Sequence, residues 1–301
     1  MWLFLGILSA LCLGCYDISR KHALDGNPAT LVLLSSVVCS TLLLCVPLAL
    51  SRIGVLTAGS QLFYVPQVSA DAHRFIFIKA VIVLTSWLLG YQAMQHLPIS
   101  FVSPMNATRP VWTLIGALTL FGERLNIWQW AGVAAAFAAI AYMQYGFVKV
   151  SSNRISVRHN AWVLCLIGAI ITGAISGLYD KYLMRRFDHN AVQVWYTIYQ
   201  CALMAAIVLV MRWRGKIRQP FKWKWSIALI SLFLVMSDYV YFYALTYPDA
   251  LISVLSTTRR MGFVVPFFYG LMLLREPVSK YKLIGTLAVV ISMVLLLIGT
   301  M

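Results

Sequence analysis

The sequence predicts an all-α membrane protein of ten transmembrane helices, arranged as two inverted repeats of five. Three observations predict this fold. Hydrophobic residues make up 61% of the 301 residues and charged residues only 11%, whereas soluble domains carry roughly 25% charged residues. Apolar runs of about twenty residues, each enough to cross a roughly 30 Å hydrocarbon layer, follow one another along the chain. Finally, the second half of the chain repeats motifs of the first.

The apolar runs are separated by short polar connections. They lie at 2–19, 28–50, 75–97, 99–121, 127–147, 161–183, 191–211, 225–246, 250–273 and 281–300. Uninterrupted runs of this length suit helices, because a transmembrane strand needs only about ten residues and alternates polar with apolar side chains. The first run has no basic segment before it and no small-residue cleavage site after it, so we expect it to stay as the first helix.

Short motifs recur between the halves. Gly14–Asp17 corresponds to Gly177–Asp180, and Ser86–Arg109 corresponds to Ser237–Arg260 at a constant offset of 151 residues. These matches predict two domains of five helices each. The domains are residues 1–150 and 151–301. Because five crossings are an odd number, the second repeat enters the membrane from the opposite face, which makes the repeat inverted.

Two adjacent arginines, Arg259 and Arg260, lie inside the ninth apolar run. An arginine at a helix centre costs about 2.5–3.5 kcal/mol on insertion scales, so two of them predict a wet interior cavity. Helical spacing places Arg260 on one face with Ser253, Ser256 and Thr257. Adjacent residues point in different directions, so we expect only one of the two arginines on this stripe and the other at a helix interface.

The fourth helix carries the corresponding polar stripe, which consists of Asn106, Arg109 and Thr113. Guanidinium groups suit planar carboxylate or phosphate groups and stay charged at any relevant pH. We therefore predict Arg109 and Arg260 as the principal ligands of an anionic substrate group. Asn106 and the polar residues of the ninth helix would complete the hydrogen bonds, with Arg259 as a further candidate.

Asp238, near the middle of the eighth helix, supports two alternatives. It could neutralise one arginine and hold two helices together without any ligand. Three deep arginines against one deep acid would still leave an excess of about two positive charges, which favours a binding site. Alternatively, Asp238 and the neighbouring Tyr241 could surround a cationic ammonium group, which keeps a quaternary amine as a rival substrate class.

Two further acids lie at equivalent positions near the ends of the first and sixth helices. Asp17 and Asp180, each preceded by a tyrosine, Tyr16 and Tyr179, are candidates for ion coupling or gating. The alternative is that each acid pairs with a basic residue a few positions along the same helix.

The net charge of +15 is concentrated in the connections, where anionic lipid headgroups explain it better than nucleic acid. The face reached by the end of the first helix carries most of it, so the positive-inside rule places both termini outside. We expect membrane lipids and a small-molecule substrate as partners, and no nucleic acid. Neither cofactor nor metal is expected, and a monomer and a homodimer both remain open.

The sequence contains no Gly-Lys-Ser phosphate loop, no His-Glu-x-x-His and no Gly-x-Ser-x-Gly motif. ATP-driven transport and hydrolytic catalysis are therefore disfavoured, and we do not expect an enzyme. A membrane enzyme or a lipid-handling protein is the more distant alternative.

These residues resemble the drug/metabolite transporter superfamily, whose members have two EamA-type halves of five helices. Glu123 and Glu276 follow the fourth and ninth helices, and Thr257–Arg260 followed by Leu274–Ser279 resembles the ninth helix of nucleotide-sugar and sugar-phosphate carriers. The resemblance implies an anionic substrate group near the paired arginines, and both termini inside, against the charge count. We predict a secondary transporter of the cell (inner) membrane that works by alternating access. Its substrate would be an amino acid, a carboxylate or a phosphorylated metabolite.

Overall fold

The computed structural model describes residues 1–57, 63–96, 108–150, 161–215, 221–263 and 280–299, together with Val265 and Tyr269. These residues form ten α-helices and, within the ranges just given, no strand. The helices are α1 (Trp2–Leu24), α2 (Ala29–Arg52), α3 (Ala70–His96), α4 (Arg109–Leu120), α5 (Ile127–Val150), α6 (Ala161–Met184), α7 (His189–Trp213), α8 (Trp225–Leu245), α9 (Ile252–Arg260) and α10 (Lys280–Ile298). A 3₁₀ turn, Met261–Phe263, continues α9. The predicted all-α class with ten helices is confirmed.

The surface of the described helices is that of a membrane protein. Six of them, α1, α2, α3, α6, α7 and α8, are long and apolar enough to cross a membrane. Large apolar side chains are exposed along them, such as Leu42 at 64%, Leu164 at 71% and Leu209 at 69%. A hydrocarbon environment accounts for this exposure, because lipid removes the cost that water would impose.

The two halves of the chain pack against each other through equivalent helix pairs. α1 packs on α8 and α3 packs on α6, so the first helix of each half meets the third helix of the other. α2 meets α7, α4 meets α9 and α5 meets α10. This pattern is the one that a pseudo-two-fold axis between the halves produces. The contacts between α1, α3, α6 and α8 place the functional cavity between the halves.

Several helices begin at side chains that satisfy their free backbone groups. Asn126 Oδ1 accepts a hydrogen bond from Gln129 N (2.8 Å), and Gln129 Oε1 accepts one from Asn126 N (3.0 Å), at the start of α5. This reciprocal arrangement is a capping box. Asp188 caps α7 by accepting a hydrogen bond from Ala191 N at 3.0 Å.

α1 and the turn after α9 approach closely at two glycines. A β-carbon on Gly262 would overlap the carbonyl oxygen of Ala10, and one on Gly14 would come within 2.5 Å of the Gly262 carbonyl oxygen. Glycine allows backbones to approach this closely in membrane proteins. The contact brings the polar end of α1, which continues past the predicted limit of residue 19 to Leu24, next to the arginine-bearing end of α9.

Candidate functional site

A cavity of about 380 Å³ lies between the two halves, with walls from α1–α4 and α6–α9. Eight charged side chains line it: Asp17, Arg20, Lys79, Arg109, Asp180, Asp238, Arg259 and Arg260. Five of these are basic and three are acidic, so the lining carries an excess of two positive charges. An excess of charge inside a membrane protein is costly unless water or a ligand compensates it.

Arg109, the first residue of α4, lies between α3 and α6. One of its terminal nitrogens donates to Ser86 Oγ (3.4 Å) and to the carbonyl oxygen of Ala169 (3.3 Å), and its Nε is buried without a hydrogen-bond partner. No carboxylate of the described residues lies within ion-pair distance of it. Within the described residues, the groups that Arg109 contacts by hydrogen bonds are therefore neutral dipoles.

Gly173 of α6 makes room for the Arg109 side chain. A β-carbon at Gly173 would overlap the Arg109 guanidinium group. Gly177, one turn further along the same helix, also lines the cavity, but the position of its β-carbon has open space around it. The location of Arg109 therefore depends on a glycine at position 173.

Arg259 is compensated within the protein. One of its terminal nitrogens donates to Asp238 Oδ1 (2.8 Å) and to Ser237 Oγ (3.1 Å), and its guanidinium carbon lies 4.1 Å from the centre of the Tyr241 ring. The side chains of Arg259 and Asp238 are 17% and 21% exposed. A structural ion pair between Asp238 and an arginine, which the sequence left open, therefore exists at Arg259.

Arg260 lines the cavity together with Arg259, so both arginines reach the cavity, although Arg259 also lies against α8 through its ion pair with Asp238. It repels Arg259 and Arg109 electrostatically and attracts Asp17. Among the described residues, no carboxylate lies within 4.0 Å of Arg260. Arg109 and Arg260 are thus two neighbouring positive charges without an ion-pair partner in the part of the chain that is described.

Lys79 and Asp180 form an ion pair between α3 and α6. Their side chains are only 3% and 9% exposed, and Lys79 Nζ lies 4.7 Å from the centre of the Tyr196 ring and 4.9 Å from that of Phe242. Lys79 was not among the predicted site residues, although an ionisable residue in the third apolar run was a usable signal. Asp17, the counterpart of Asp180, is instead exposed to the cavity.

The remaining predicted residues divide into two groups. Ser256 and Tyr16 line the cavity. Ser253 and Thr257 are fully buried outside its lining, where Thr257 Oγ1 donates to the Ser253 carbonyl oxygen at 2.8 Å. Tyr179 also lies outside the lining.

The hydroxyl of Tyr179 donates to the carbonyl oxygen of Phe75 at 3.2 Å, and its ring stacks on Tyr182. These contacts hold it against α3. Asn106 lies outside the described residues.

Glu123, which follows α4, binds the start of α9 on the side of the membrane that holds both chain termini. Its Oε1 accepts hydrogen bonds from Lys181 Nζ (2.5 Å) and Ile252 N (2.7 Å). Its Oε2 accepts from Ser253 N (3.2 Å) and Ser253 Oγ (2.5 Å). A carboxylate at a helix N-terminus is favoured by the free backbone N–H groups there. A side chain of the first half thereby fixes the helix that carries both arginines of the second half.

The sequence matches the EamA-like transporter family over residues 1–145 and 160–298. One solved structure, described only as the crystal structure of a protein, superposes with a TM-score of 0.70 at 14% sequence identity. The match covers 99% of this chain and 96% of that chain, and at this identity it shows the fold alone. No curated protein matches the sequence. With its two repeated halves of membrane helices, the chain belongs to the EamA-like transporter family.

Proposed function

We propose that the protein is a secondary active transporter of a small metabolite that carries a carboxylate or phosphate group. One observation carries the proposal: Arg109 and Arg260 line the same cavity, and no carboxylate of the described residues lies within ion-pair distance of either. An anionic group that reached both would offset the excess positive charge of the lining. Guanidinium groups bind carboxylates and phosphates with two parallel hydrogen bonds, which adds geometric selectivity.

The size of the cavity supports a small substrate. Its volume of about 380 Å³ is near the lower end of ligand pockets, which span roughly 300–1,000 Å³. Asp17, which is exposed to the same space, is an acid that a substrate ammonium group could contact. Within the anionic class, this favours a molecule with both charges, such as an amino acid.

The contacts of Arg259 disfavour the rival class of quaternary amines. Arg259 already occupies a carboxylate oxygen of Asp238 and one face of the Tyr241 ring. A cationic ligand would have to displace this guanidinium group and then remain in a cavity whose lining is already positive. Both steps cost electrostatic free energy.

Two buried clusters support alternating access across the cell membrane. On the termini side of the cavity, Glu123 binds Lys181 and the start of α9, and Lys79 binds Asp180. On the opposite side, the cavity lining reaches Arg20, about one turn before the end of α1. We infer that the described conformation is closed on the termini side, and that opening there requires α9 to leave Glu123.

Thermal unfolding of the purified protein with single ligands tests the substrate class. The panel contains amino acids, dicarboxylates, phosphorylated sugars and quaternary amines. We expect carboxylates or phosphates to raise the Tm. Arg109→Gln and Arg260→Gln should each raise the half-saturating ligand concentration at least tenfold, equivalent to about 1.4 kcal/mol of binding free energy. Flux into proteoliposomes then tests transport of the best ligand.

Arg52→Gln is the matched control, because Arg52 is an exposed arginine at the end of α2, outside the cavity lining. It should bind the ligand as the wild type does. Stabilisation by amines alone, or equal losses in Arg52→Gln and Arg109→Gln, would contradict the proposed function.

A further inference from the structure

A second, smaller chamber lies beside the cavity, between α2, α7 and α8. Its volume is about 10 Å³, close to the smallest space that can hold one water-sized species. Asp238 lines both this chamber and the large cavity. From α7, a stripe of polar residues at helical spacing, Gln193, Thr197 and Gln200, faces the chamber. The sequence analysis did not single out these residues.

Three polar atoms of the chamber walls have no hydrogen-bond partner in the described structure. They are Ser40 Oγ, Gln193 Oε1 and Gln200 Nε2. The three residues are only 3%, 2% and 3% exposed, so bulk water does not reach them. Buried polar atoms are nearly always hydrogen-bonded, and three such exceptions around one void indicate a bound species.

The chamber presents mainly acceptors. Gln193 Nε2 donates to the carbonyl oxygen of Val235 (2.8 Å), which leaves Oε1 as the unpartnered atom of that amide. Thr197 Oγ1 donates its proton to the carbonyl oxygen of Gln193 (2.8 Å), so it can only accept from an occupant. Asp238 adds a carboxylate whose Oδ1 is bonded to Arg259.

Gln200 Nε2 is the one donor among the three atoms, and its amide lies beside the hydroxyl of Tyr196, which also lines the chamber. Rotation of this amide by about 180° would present its oxygen to the chamber instead, since the two orientations have nearly the same shape. The walls can thus offer side-chain oxygens from four or five residues to a single occupant, and an occupant that carries positive charge satisfies such a set better than a water with two protons.

We propose that this chamber binds one small monovalent cation of the size of Na⁺, through oxygens of Ser40, Gln193, Thr197 and Asp238. Hard oxygen ligands suit such an ion. A single carboxylate that also pairs with an arginine offers too little negative charge for a divalent ion, which usually takes several charged ligands. The small volume favours Na⁺ over K⁺.

A cation at this position would affect transport, and this consequence rests on the proposed function. A cation that shares Asp238 through its other carboxylate oxygen need not displace Arg259, as an amine in the large cavity would, but it weakens this ion pair and makes the guanidinium group more available to the large cavity. An anion in the cavity in turn offsets the added positive charge. Each ligand therefore tightens the binding of the other by the same factor, as thermodynamic linkage requires.

Sodium binding is tested first, without any substrate. The Tm is measured in increasing NaCl, KCl or N-methylglucamine chloride at constant ionic strength, and ²²Na⁺ binding is measured on the same protein. We expect a saturable rise in Tm with Na⁺ alone. Ser40→Ala and Gln193→Leu should raise the half-saturating Na⁺ concentration at least tenfold.

Ser36→Ala is the matched control, because Ser36 lies one turn earlier on α2 and is likewise 3% exposed. Its hydroxyl donates to the carbonyl oxygen of Leu33 (2.9 Å) and does not line the chamber. It should keep the wild-type sodium response. A wild type that does not distinguish Na⁺ from N-methylglucamine would overturn the proposal, because the chamber then holds only water. An unchanged response in both chamber variants would overturn it as well.

The coupling is tested by measuring the affinity of the stabilising anion with and without Na⁺. We expect at least fivefold tighter anion binding with Na⁺, and no such gain in Ser40→Ala. Sodium binding without an effect on the anion contradicts the weakening of the ion pair between Arg259 and Asp238 but leaves the sodium site standing. If no anion binds while Na⁺ still does, the proposed function fails and the sodium site does not.

Discussion

The two halves of the protein build the same frame around an arginine and then compensate that arginine differently. In the first half, Arg109 donates to Ser86 Oγ, which itself donates to the carbonyl oxygen of Ala169 on α6. In the second half, Arg259 donates to Ser237 Oγ, which itself donates to the carbonyl oxygen of Ser9 on α1. Position 87, which the repeat pairs with Asp238, holds a tryptophan. Arg259 therefore has a carboxylate partner, whereas Arg109 has none among the residues that the structure describes.

The acids show the opposite difference. Asp180 of α6 is paired with Lys79 of α3. Its counterpart Asp17 of α1 would face the corresponding position of α8, where the same offset of 151 residues places Ile230. That isoleucine is 3% exposed and packs in an apolar cluster near Tyr16.

In each half, one position that the repeat pairs with a charged residue of the other half holds an uncharged one: Trp87 opposite Asp238, and Ile230 opposite Lys79. As a result, Arg109 and Asp17 present charges to the shared cavity, whereas their counterparts are bound within the protein. An exact repeat would have given both Arg109 and Asp17 a partner within the protein, so neither charge would be available to a ligand. The divergence between the repeats therefore explains why these two charges face the cavity.

Removal of Lys79 from its buried ion pair with Asp180 should have the largest effect on the stability of the protein. Lys79→Met leaves Asp180 as an uncompensated buried carboxylate, and the free energy of unfolding should fall by about 3–5 kcal/mol. Ile230→Met changes the equivalent position of the other half and should cost less than about 1.5 kcal/mol. Reversible chemical unfolding in mixed micelles measures both.

The double variant Lys79→Met/Asp180→Leu removes both charges and should recover most of the loss, because buried pairs are often replaceable by apolar residues. Equal stabilities of Lys79→Met and Ile230→Met would show that the two halves do not differ in the way the contacts indicate.

The next largest effect concerns the carboxylate that joins the halves. Glu123→Gln keeps the shape of the side chain but loses the charge that accepts from Lys181 and from the first turn of α9. We expect a loss of about 1.5–3 kcal/mol in stability, the range for hydrogen bonds to charged groups. Ser253→Ala removes one of these bonds and should cost less. If Glu123→Gln opens the termini side of the cavity, a cysteine placed in the first turn of α9 should be labelled faster by a water-soluble thiol reagent in that variant than in the wild type.

If Glu123→Gln were fully stable and its labelling unchanged, the cluster would not close this side of the cavity. Arg124→Gln, a change of the adjacent exposed residue, controls for a general effect of losing a charge in the turn between α4 and α5.

The helices could be predicted from the sequence because length and hydropathy decide whether a segment crosses a membrane, and both are local properties. The arginines of α9 could be selected for the same reason, since charge in an apolar run is conspicuous. The partner of each charge could not be predicted. Lys79 and Asp180 are separated by 101 residues, and only the packing of α3 on α6 brings them together.

The face of α9 was equally undetermined. Helical spacing grouped Ser253, Ser256 and Thr257 with Arg260, yet of these only Ser256 and Arg260 line the cavity, and Arg259 joins them. Small hydroxyl side chains can satisfy themselves on nearby backbone or on a neighbouring helix, so polarity alone does not fix which side of a helix faces a cavity. The offset of 151 residues paired Arg109 with Arg260, whereas the contacts with Ser86 and Ser237 make Arg259 its counterpart.

A change at Gly173 alters the space that is available to the Arg109 side chain. Gly173→Ala places a methyl group where the Arg109 guanidinium lies, so we expect anion affinity to fall about tenfold, equivalent to about 1.4 kcal/mol. Gly177→Ala makes the same change one turn away, in open space, and should leave affinity within about twofold, since no side chain has to move. The anion titration used for Arg109→Gln measures both. Equal effects of the two changes would mean that the position of Arg109 does not determine binding.

The smallest expected effect is the difference between alanine substitutions of Ser237 and Ser86, the serines that accept hydrogen bonds from Arg259 and Arg109. Ser237 is fully buried, and its hydroxyl bonds Ser9 of α1 as well as Arg259. Ser86 bonds Ala169 and receives a longer hydrogen bond, 3.4 Å, from Arg109.

We expect Ser237→Ala to destabilise the protein by about 1 kcal/mol more than Ser86→Ala, because it removes more of the hydrogen bonds at a drier position. Ser86→Ala should instead change anion affinity more, since it loosens Arg109, which has no carboxylate partner in the described part of the chain. If both serines affected stability and affinity alike, Arg109 and Arg259 would be equivalent in function, and the difference in their compensation would have no bearing on substrate binding.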